Sequence, residues 1–231
     1  MLLQPGRSSA GSDGNMAEYR DIREHMVRTQ LIPRGIKDPR VLDAMRRTPR
    51  HLFLDESMRE AAYTDSALPI GEGQTISQPY MVAVMTELLE LDGHEKVLEI
   101  GTGTGYQAAV LAELAREVFT MERISVLAAR AEERFRELHY STIRVRVGDG
   151  TLGWPEEAPF NGVIITAASP RVPEPLIDQL ADNGILIIPV GSRYSQHLLK
   201  IRKTDMGLTR EIHTPCVFVP LIGEHGWAPE G

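Results

Sequence analysis

Apolar and polar positions change rhythm along this chain. Over residues 16–91 apolar side chains recur every three or four places, the spacing of one face of a helix. Met16, Tyr19, Ile22 and Met26 mark such a stripe over residues 16–31, and Val41, Leu42 and Met45 mark another over Pro39–Arg47. A third, with Met81, Val84, Met85, Leu88 and Leu89, spans Tyr80–Leu91. Pro49 closes the second helix, and Pro79 suits the first turn of the third. Between them lie an irregular stretch with local helix at Ser57–Ala62 and a glycine-rich loop from Ile70 to Pro79.

From Lys96 onward short apolar runs alternate with helical stretches. The runs predict strands at Lys96–Ile100, Glu117–Met121, Ile143–Val147, Gly162–Thr166 and Gly184–Pro189, with helices at Tyr106–Ala115, Ile124–Leu138 and Glu174–Leu180 between them. Such alternation predicts a parallel sheet covered on both faces. After Val190 the pattern changes, and His197–Lys203 and Cys216–Pro220 read as two closing, antiparallel strands around a polar hairpin at Thr204–Gly207. The expected fold is α/β: a doubly wound, mostly parallel seven-stranded sheet with an N-terminal helical elaboration. One domain should cover residues 16–231. It divides into helices and loop (16–95), sheet core (96–190) and closing strands (191–231). Residues 1–15 are rich in Ser and Gly, lack the apolar run of a secretory signal, and read as a disordered tail, with Met16 an alternative start.

Composition narrows the functional classes. At 231 residues, 42% hydrophobic and 25% charged, the chain can build its own core in water. A net charge of −7 argues against a non-specific nucleic-acid binder. Arg144 and Arg146 alternate along an expected strand and read as its solvated face. The single cysteine, Cys216, excludes an intrachain disulfide and fits a reducing, cytoplasmic compartment. It sits in an apolar run, where burial is expected over reactivity. No apolar stretch reaches the roughly 18 residues of a membrane span, and the histidines lack metal-ligand spacing. A monomer is expected.

The candidate chemistry gathers at Val97-Leu98-Glu99-Ile100-Gly101-Thr102-Gly103-Thr104-Gly105-Tyr106. A strand ending in three alternating glycines before a helix lets backbone turn sharply and a ligand approach closely, with free N–H groups at the helix start. The spacing is G-x-G-x-G, not the G-x-G-x-x-G of dinucleotide sites. Glu99 could face a cationic group, which a pyrophosphate turn would avoid. About 20 residues on, Glu122 ends the next strand, where a carboxylate can accept from ribose hydroxyls; alone it is equally a solvated strand end. Asp149, between Gly148 and Gly150, is either a turn former or an acceptor for an adenine amino group at a strand's carboxyl end. Ser77, two residues before Pro79, has capping as its plain alternative. Met81, Met85 and Met121 read as core.

These residues resemble the protein-L-isoaspartate O-methyltransferases, a branch of the class I S-adenosylmethionine-dependent methyltransferases. The resemblance runs from about Arg28 to Gly223. It rests on Ala67–Gly71, on Gln74-Thr75-Ile76-Ser77-Gln78-Pro79-Tyr80-Met81, on the glycine turn, on Gly148–Gly150 and on Pro189–Gly191. The glycine turn is general to methyltransferases; Thr-Ile-Ser-Gln-Pro is much more specific and looks like the bacterial or archaeal form. The resemblance implies a Rossmann-like methyltransferase domain that esterifies the free α-carboxylate of L-isoaspartyl residues in damaged proteins and peptides, which initiates repair through succinimide. It implies S-adenosyl-L-methionine as donor and S-adenosyl-L-homocysteine as product. Ser77 is the implied active-site residue. Thr75, Ile76, Ser77, Glu99, Gly101, Thr102, Gly103, Gly105, Glu122, Asp149 and Gly150 are the implied cofactor set, with no metal. Ala168-Ser169-Pro170 departs from the family's usual run beside the peptide groove. Three rivals stand. A small-molecule methyltransferase would share the cofactor site, a dehydrogenase is opposed by the glycine spacing, and a non-catalytic module would bind donor without turnover.

Overall fold

The computed structural model describes residues 10–228, with side chains from Glu18 onward. The tail expected over residues 1–15 lies, for residues 1–9, outside the described residues. The first helix, α1, is Ala10–Met26, and it passes into a wider π turn at Val27–Leu31 and a 3₁₀ turn at Ile32–Arg34. The second, α2 (Pro39–Arg47), is as expected. Asp38 caps it by accepting from the Arg40 N–H at 2.8 Å, and Pro39 fills its first turn.

The glycine-rich loop holds more order than its composition suggests. Leu68–Gly71 (β1) and Gln74–Ile76 (β2) pair antiparallel, and Glu72 and Gly73 turn between them at φ of 53° and 66°. Two consecutive positive φ values give the twist that a two-residue hairpin needs. The hairpin leads through Ser77 into α3 (Pro79–Leu88).

The sheet core follows the expected alternation: β3 (Lys96–Ile100), α4 (Tyr106–Ala112), β4 (Glu117–Glu122), α5 (Ser125–Glu137), β5 (Ile143–Val147), β6 (Phe160–Ile165), α6 (Glu174–Asp178) and β7 (Leu180–Gly191). Strand residues alternate between two cores with period two. Val97, Val118, Ile164 and Ile187 face the helices of the N-terminal half. Leu98, Phe119, Val163 and Leu186 face the opposite side, which α6 covers through the fully buried Leu176.

One expected strand moves. The last two strands are β8 (Gln196–Thr204) and β9 (Gly207–Cys216), both antiparallel, so the final strand begins directly after the hairpin. The apolar run expected to form it, Cys216–Pro220, is instead an extended segment. It crosses the sheet's carboxyl edge, where Ala168 N–H donates to the Val219 carbonyl at 2.8 Å. The reason is physical: β9 is an edge strand with mostly exposed side chains, Ile212 among them, so its pairing leaves little hydrophobic pattern to read.

Strand order is β5-β4-β3-β6-β7-β8-β9. Growth of the sheet reverses between β3 and β6, and the carboxyl edge at such a switch point is where ligands bind in open α/β sheets. The thin end of the sheet is tied back to α3 by Glu90, just past that helix. It meets the buried Lys200 ammonium and, at 2.6 Å, Arg202, both on β8. Burial would raise the Glu90 carboxyl; the two cations outweigh it and hold it below its ordinary value.

This pairing predicts an asymmetry. Glu90→Gln leaves Lys200 charged and buried, and should cost about 1–3 kcal/mol in urea unfolding, below the 3–5 of a fully buried pair because Glu90 is half exposed. Lys200→Met should be close to neutral. Equal losses from the two substitutions would contradict the account.

Candidate active site

Parallel pairing sets the site. Ile100 stands opposite Met121 on β4 and Ile165 on β6, while Glu122 stands opposite Val147 on β5. The residues at and just past the ends of these strands therefore emerge side by side: Gly101, Glu122, Asp149 and Thr166. A cavity opens there, lined by Gly101, Gly103, Met121, Glu122, Gly150 and Thr166 and roofed by Thr75 and Leu221–Ile222.

Gly101 has φ of 101°, and a Cβ on it would stand 2.4 Å from the Thr166 hydroxyl. A side chain is excluded twice over, by conformation and by contact. Thr166 Oγ1 lies 3.0 Å from the Ile100 carbonyl oxygen and 2.8 Å from that of Gly101, clipping the turn to β6. Gly105 does not face the cavity. It starts α4, and a Cβ there would meet the Phe135 ring at 2.6 Å, so its place is in packing α5 against the turn.

The two glutamates hold this turn in different ways. Glu122 Oε2 accepts from the Gly103 N–H and Oε1 from the Ile124 N–H, both at 2.9 Å. Its carboxylate thereby fixes the turn while keeping lone pairs for a further donor, since a carboxylate has about four acceptor sites. The reading of Glu122 as a solvated strand end fails, because its residue exposure is 7%.

Glu99 lies one layer deeper and is wholly buried. Its Oε2 accepts from the Thr120 hydroxyl, which stands 2.6 Å from the Thr102 hydroxyl, so the network ends on the glycine turn. Oε1 has no partner. Burial pushes the carboxyl up to about 8, against the pull of Thr120 and with Glu122 adding to the rise.

Asp149 Oδ1 accepts from the Thr151 N–H and hydroxyl, and Oδ2 from the Glu224 N–H. The turn-forming role is thus present, and the C-terminal Glu224 joins it as a donor.

Ser77 caps nothing. Gln78 is the N-cap of α3 and makes no side-chain cap bond, and the Ser77 hydroxyl has no hydrogen-bond partner among the described residues. The residue lies between two hollows. One is a narrow space against the glycine turn, lined also by Thr75, Ile76, Thr102, Gly103 and Gln107. The other is a larger groove bounded by Arg34, Tyr80, Thr166 and the segment Thr214–Val219. Ile76, though 4% exposed, thus contributes to the wall of the first.

The sequence reading missed several members. Thr166 was legible as a strand-end residue at the switch point. Met121, read as core, is both 3% exposed and part of the cavity wall. The roof of Val219–Ile222 carried no signal. Ala168 and Ser169, of the run that departs from the family's beside the peptide groove, are buried and bonded to Val219, Leu221, Pro189 and Gly191 through backbone. Cys216 is half-buried beside the groove, and burial pushes its thiol up to about 11, away from thiolate chemistry. Among the described residues no cluster of metal-ligating side chains occurs and no helix is long and apolar enough to cross a membrane.

Residues 22–226 match the family model described as protein-L-isoaspartate(D-aspartate) O-methyltransferase. The chain is 55% identical over 212 residues to the protein-L-isoaspartate O-methyltransferase 1 of Syntrophobacter fumaroxidans, covering 92% of this chain and 99% of that one. It is also 55% identical over 209 residues to the protein-L-isoaspartate O-methyltransferase of the archaeon Methanoculleus marisnigri, with 90% and 94% covered. Among solved structures, one protein-L-isoaspartate O-methyltransferase aligns at TM-score 0.80 and 30% identity over 88% of this chain and 67% of that one. Another, from Plasmodium falciparum and described as a protein-L-isoaspartate O-methyltransferase in complex with S-adenosyl-L-homocysteine, aligns at 0.73 and 25% identity, with 88% and 98% covered.

Two outcomes are expected of this geometry. Gly101→Ala should lose S-adenosylhomocysteine binding in calorimetry and unfold at least about 1 kcal/mol more easily, the low end of the cost of backbone strain; unaltered binding would show that the turn is not the ligand cradle. The second concerns Glu99. The folded protein keeps its proton up to about pH 8 while the unfolded chain releases it near the ordinary 4.5. The native state therefore binds more protons in that window, and this contribution to stability falls as pH rises from 4.5 to 8. His51, pushed down to about 4 by burial and then by Arg23 and Arg59, acts in the opposite sense between pH 4 and 6.5 and is common to both proteins. Melting curves from pH 5 to 8 should show Glu99→Gln gaining on the parent as pH rises, and parallel curves would rule the buried proton out.

Proposed function

We propose, because the chain belongs to the protein-L-isoaspartate(D-aspartate) O-methyltransferase family, that it performs that family's reaction with Ser77 at the acceptor and the cradle around Gly101 at the donor. The reaction is S-adenosylmethionine-dependent methyl esterification of the free α-carboxylate of L-isoaspartyl residues in damaged proteins and peptides. The observation that carries the assignment of Ser77 is its unpartnered hydroxyl, set in the wall between the glycine turn and the larger groove.

The residues present suit the donor. Glu99 Oε1 is buried and unpartnered among the described residues, and a nearby cation would favour the ionised form of this carboxyl. Glu122 would take the ribose hydroxyls on its remaining lone pairs, and Asp149 with Gly150 would meet the adenine. Thr75 and Ile76 would cover the donor from above, and Thr102 and Gly103 would approach it by backbone. Gly105 supports this cradle through packing. S-adenosylmethionine brings a sulfonium-bound methyl group that a carboxylate oxygen can attack in line.

The chain's own part is positioning. An α-carboxylate has a pKa of about 3.3–3.7, so it is already ionised and nucleophilic at neutral pH and needs no general base. Ser77 can therefore act by donating one hydrogen bond that aims an oxygen at the methyl carbon. Alignment of this kind is worth at most about 7–11 kcal/mol. The hairpin Leu68–Ile76 and the segment Val219–Ile222 close over the reacting pair and exclude water, which would otherwise favour the separated charges. Product ester recloses to succinimide without help from the protein.

The groove bounded by Arg34, Tyr80 and Thr214–Val219 is the proposed path of the peptide. Its wall after β9 runs extended, and the exposed Val217 projects from it. Extended backbone can read another backbone without reading its side chains. Normal aspartyl peptides carry the carboxylate on a side chain, and would not bring it to Ser77 with the backbone so held. A single copy working in the cytoplasm on protein substrates, without nucleic acid, completes the proposal; the lone cysteine and the charge of −7 support it.

Radiolabel transfer to matched isoaspartyl and aspartyl peptides tests the whole. Label on the isoaspartyl peptide alone is expected. Ser77→Ala should lower kcat about 10- to 100-fold, the value of a hydrogen bond to a charged group, with donor affinity kept. Label on neither peptide would defeat the proposal, and an unimpaired Ser77→Ala would remove that residue from it.

A further inference from the structure

The segment that roofs the cavity continues into a compact turn with its own attachment to the site. Past Leu221 the chain folds back on itself: Trp227 N–H donates to the Leu221 carbonyl at 2.7 Å, Gly223 N–H to that of Trp227 at 3.2 Å, and Gly226 N–H to that of Gly223 at 3.1 Å. The tip of this turn rests on Asp149. Glu224 N–H donates to Oδ2 at 2.8 Å, and His225 N–H donates to Thr151 Oγ1 at 3.2 Å, whose hydroxyl in turn donates to Oδ1 at 2.7 Å. Gly223 lies so close that a Cβ would stand 2.1 Å from Asp149 Oδ1. On the outside, the Arg193 guanidinium sits 5.0 Å from the centre of the Trp227 ring.

We propose that residues 221–227 are a clasp that positions Asp149 for the adenine end of the donor, so that donor affinity is set in part by the backbone of the C-terminal segment. The inference rests on the reading of Asp149 as an adenine contact. Three hydrogen bonds hold its carboxylate in one orientation, and of about four acceptor sites they leave one free. An oxygen so held presents a single lone pair in a fixed direction, which suits one N–H of an exocyclic amine. The same segment supplies Leu221 and Ile222 to the cavity wall, so release of the clasp would both free Asp149 and open the roof. The working groups are the Glu224 N–H and the bare Cα of Gly223. The Glu224 side chain is 70% exposed. Among the described residues none of 221–227 lines the groove or the narrow space at Ser77, so the effect should fall on the donor alone.

A proline at position 224 removes the N–H and also fixes φ there and restricts Gly223, so Glu224→Pro is read against Glu224→Ala, which keeps the N–H. S-adenosylhomocysteine should bind the proline variant about 10- to 100-fold more weakly than the alanine variant, the range for a hydrogen bond to a charged group. The KM for S-adenosylmethionine should rise with it, while the KM for isoaspartyl peptide stays level. Equal S-adenosylhomocysteine binding by the two variants would overturn the proposal, and so would a parallel rise in both KM values. Should the proline variant not fold, hydrogen exchange on the unaltered protein tests the same contact. S-adenosylhomocysteine is expected to slow exchange at the amides of residues 223–225, and unchanged exchange there would sink the clasp. Both readouts need no methyl acceptor, so a protein that binds S-adenosylhomocysteine but methylates no peptide would defeat the isoaspartyl reading alone.

Discussion

Thr166, one residue past β6, reaches with its hydroxyl to the carbonyl oxygens of Ile100 and Gly101, and the rest of the site depends on that contact. It joins the two strands between which the sheet changes direction of growth. At that seam no crossover helix covers the carboxyl edge, so the strand ends stay open to a ligand. The contact is possible only because Gly101 carries no Cβ. Once the turn is clipped there, Gly103 N–H falls to Glu122 and Tyr106 begins α4. The cradle is thus a consequence of two strands being held at one distance.

Beneath the turn lies a polar layer that a stable core would not choose. Glu99, Thr120 and Thr102 form a buried chain with one carboxylate oxygen unpartnered. A buried carboxyl costs stability unless its proton stays on or a cation arrives. The cost of this network is carried by the apolar layers on either side of the sheet. Glu122, one strand over, has both oxygens supplied with backbone N–H groups and shows how differently two neighbouring carboxylates can be placed.

The acceptor side is assembled from distant parts of the chain. The hairpin of β1 and β2 brings Ser77 over the glycine turn, and the extended segment after β9 forms the facing wall. Between them runs the groove, next to the cavity that Thr75 and Leu221–Ile222 cover. The turn after Leu221, hydrogen-bonded to Asp149 and Thr151, brings the C-terminal segment to the same edge of the sheet.

The alternation of apolar runs and helical stripes was enough to determine the parallel core, because strands buried on both faces must be nearly continuous in hydrophobicity. It likewise set α2 within its capped bounds. The glycine turn, Glu122 and Asp149 were legible because a strand end, a tight turn and a carboxylate occupy fixed local spacings. Other features belonged to the tertiary structure. β9 escaped notice because an edge strand with exposed side chains has no buried face to mark it, and the apolar run at Cys216–Pro220 marked a roof instead. The complete burial of Glu99 and its bond to Thr120 were not legible locally, because they follow from which side of β3 the side chain leaves and from the neighbouring strand. Whether Ser77 capped a helix or stood free could not be read from its place before Pro79. It was decided when the hairpin carried it into the wall between two hollows, a matter of contacts across the fold rather than along the chain.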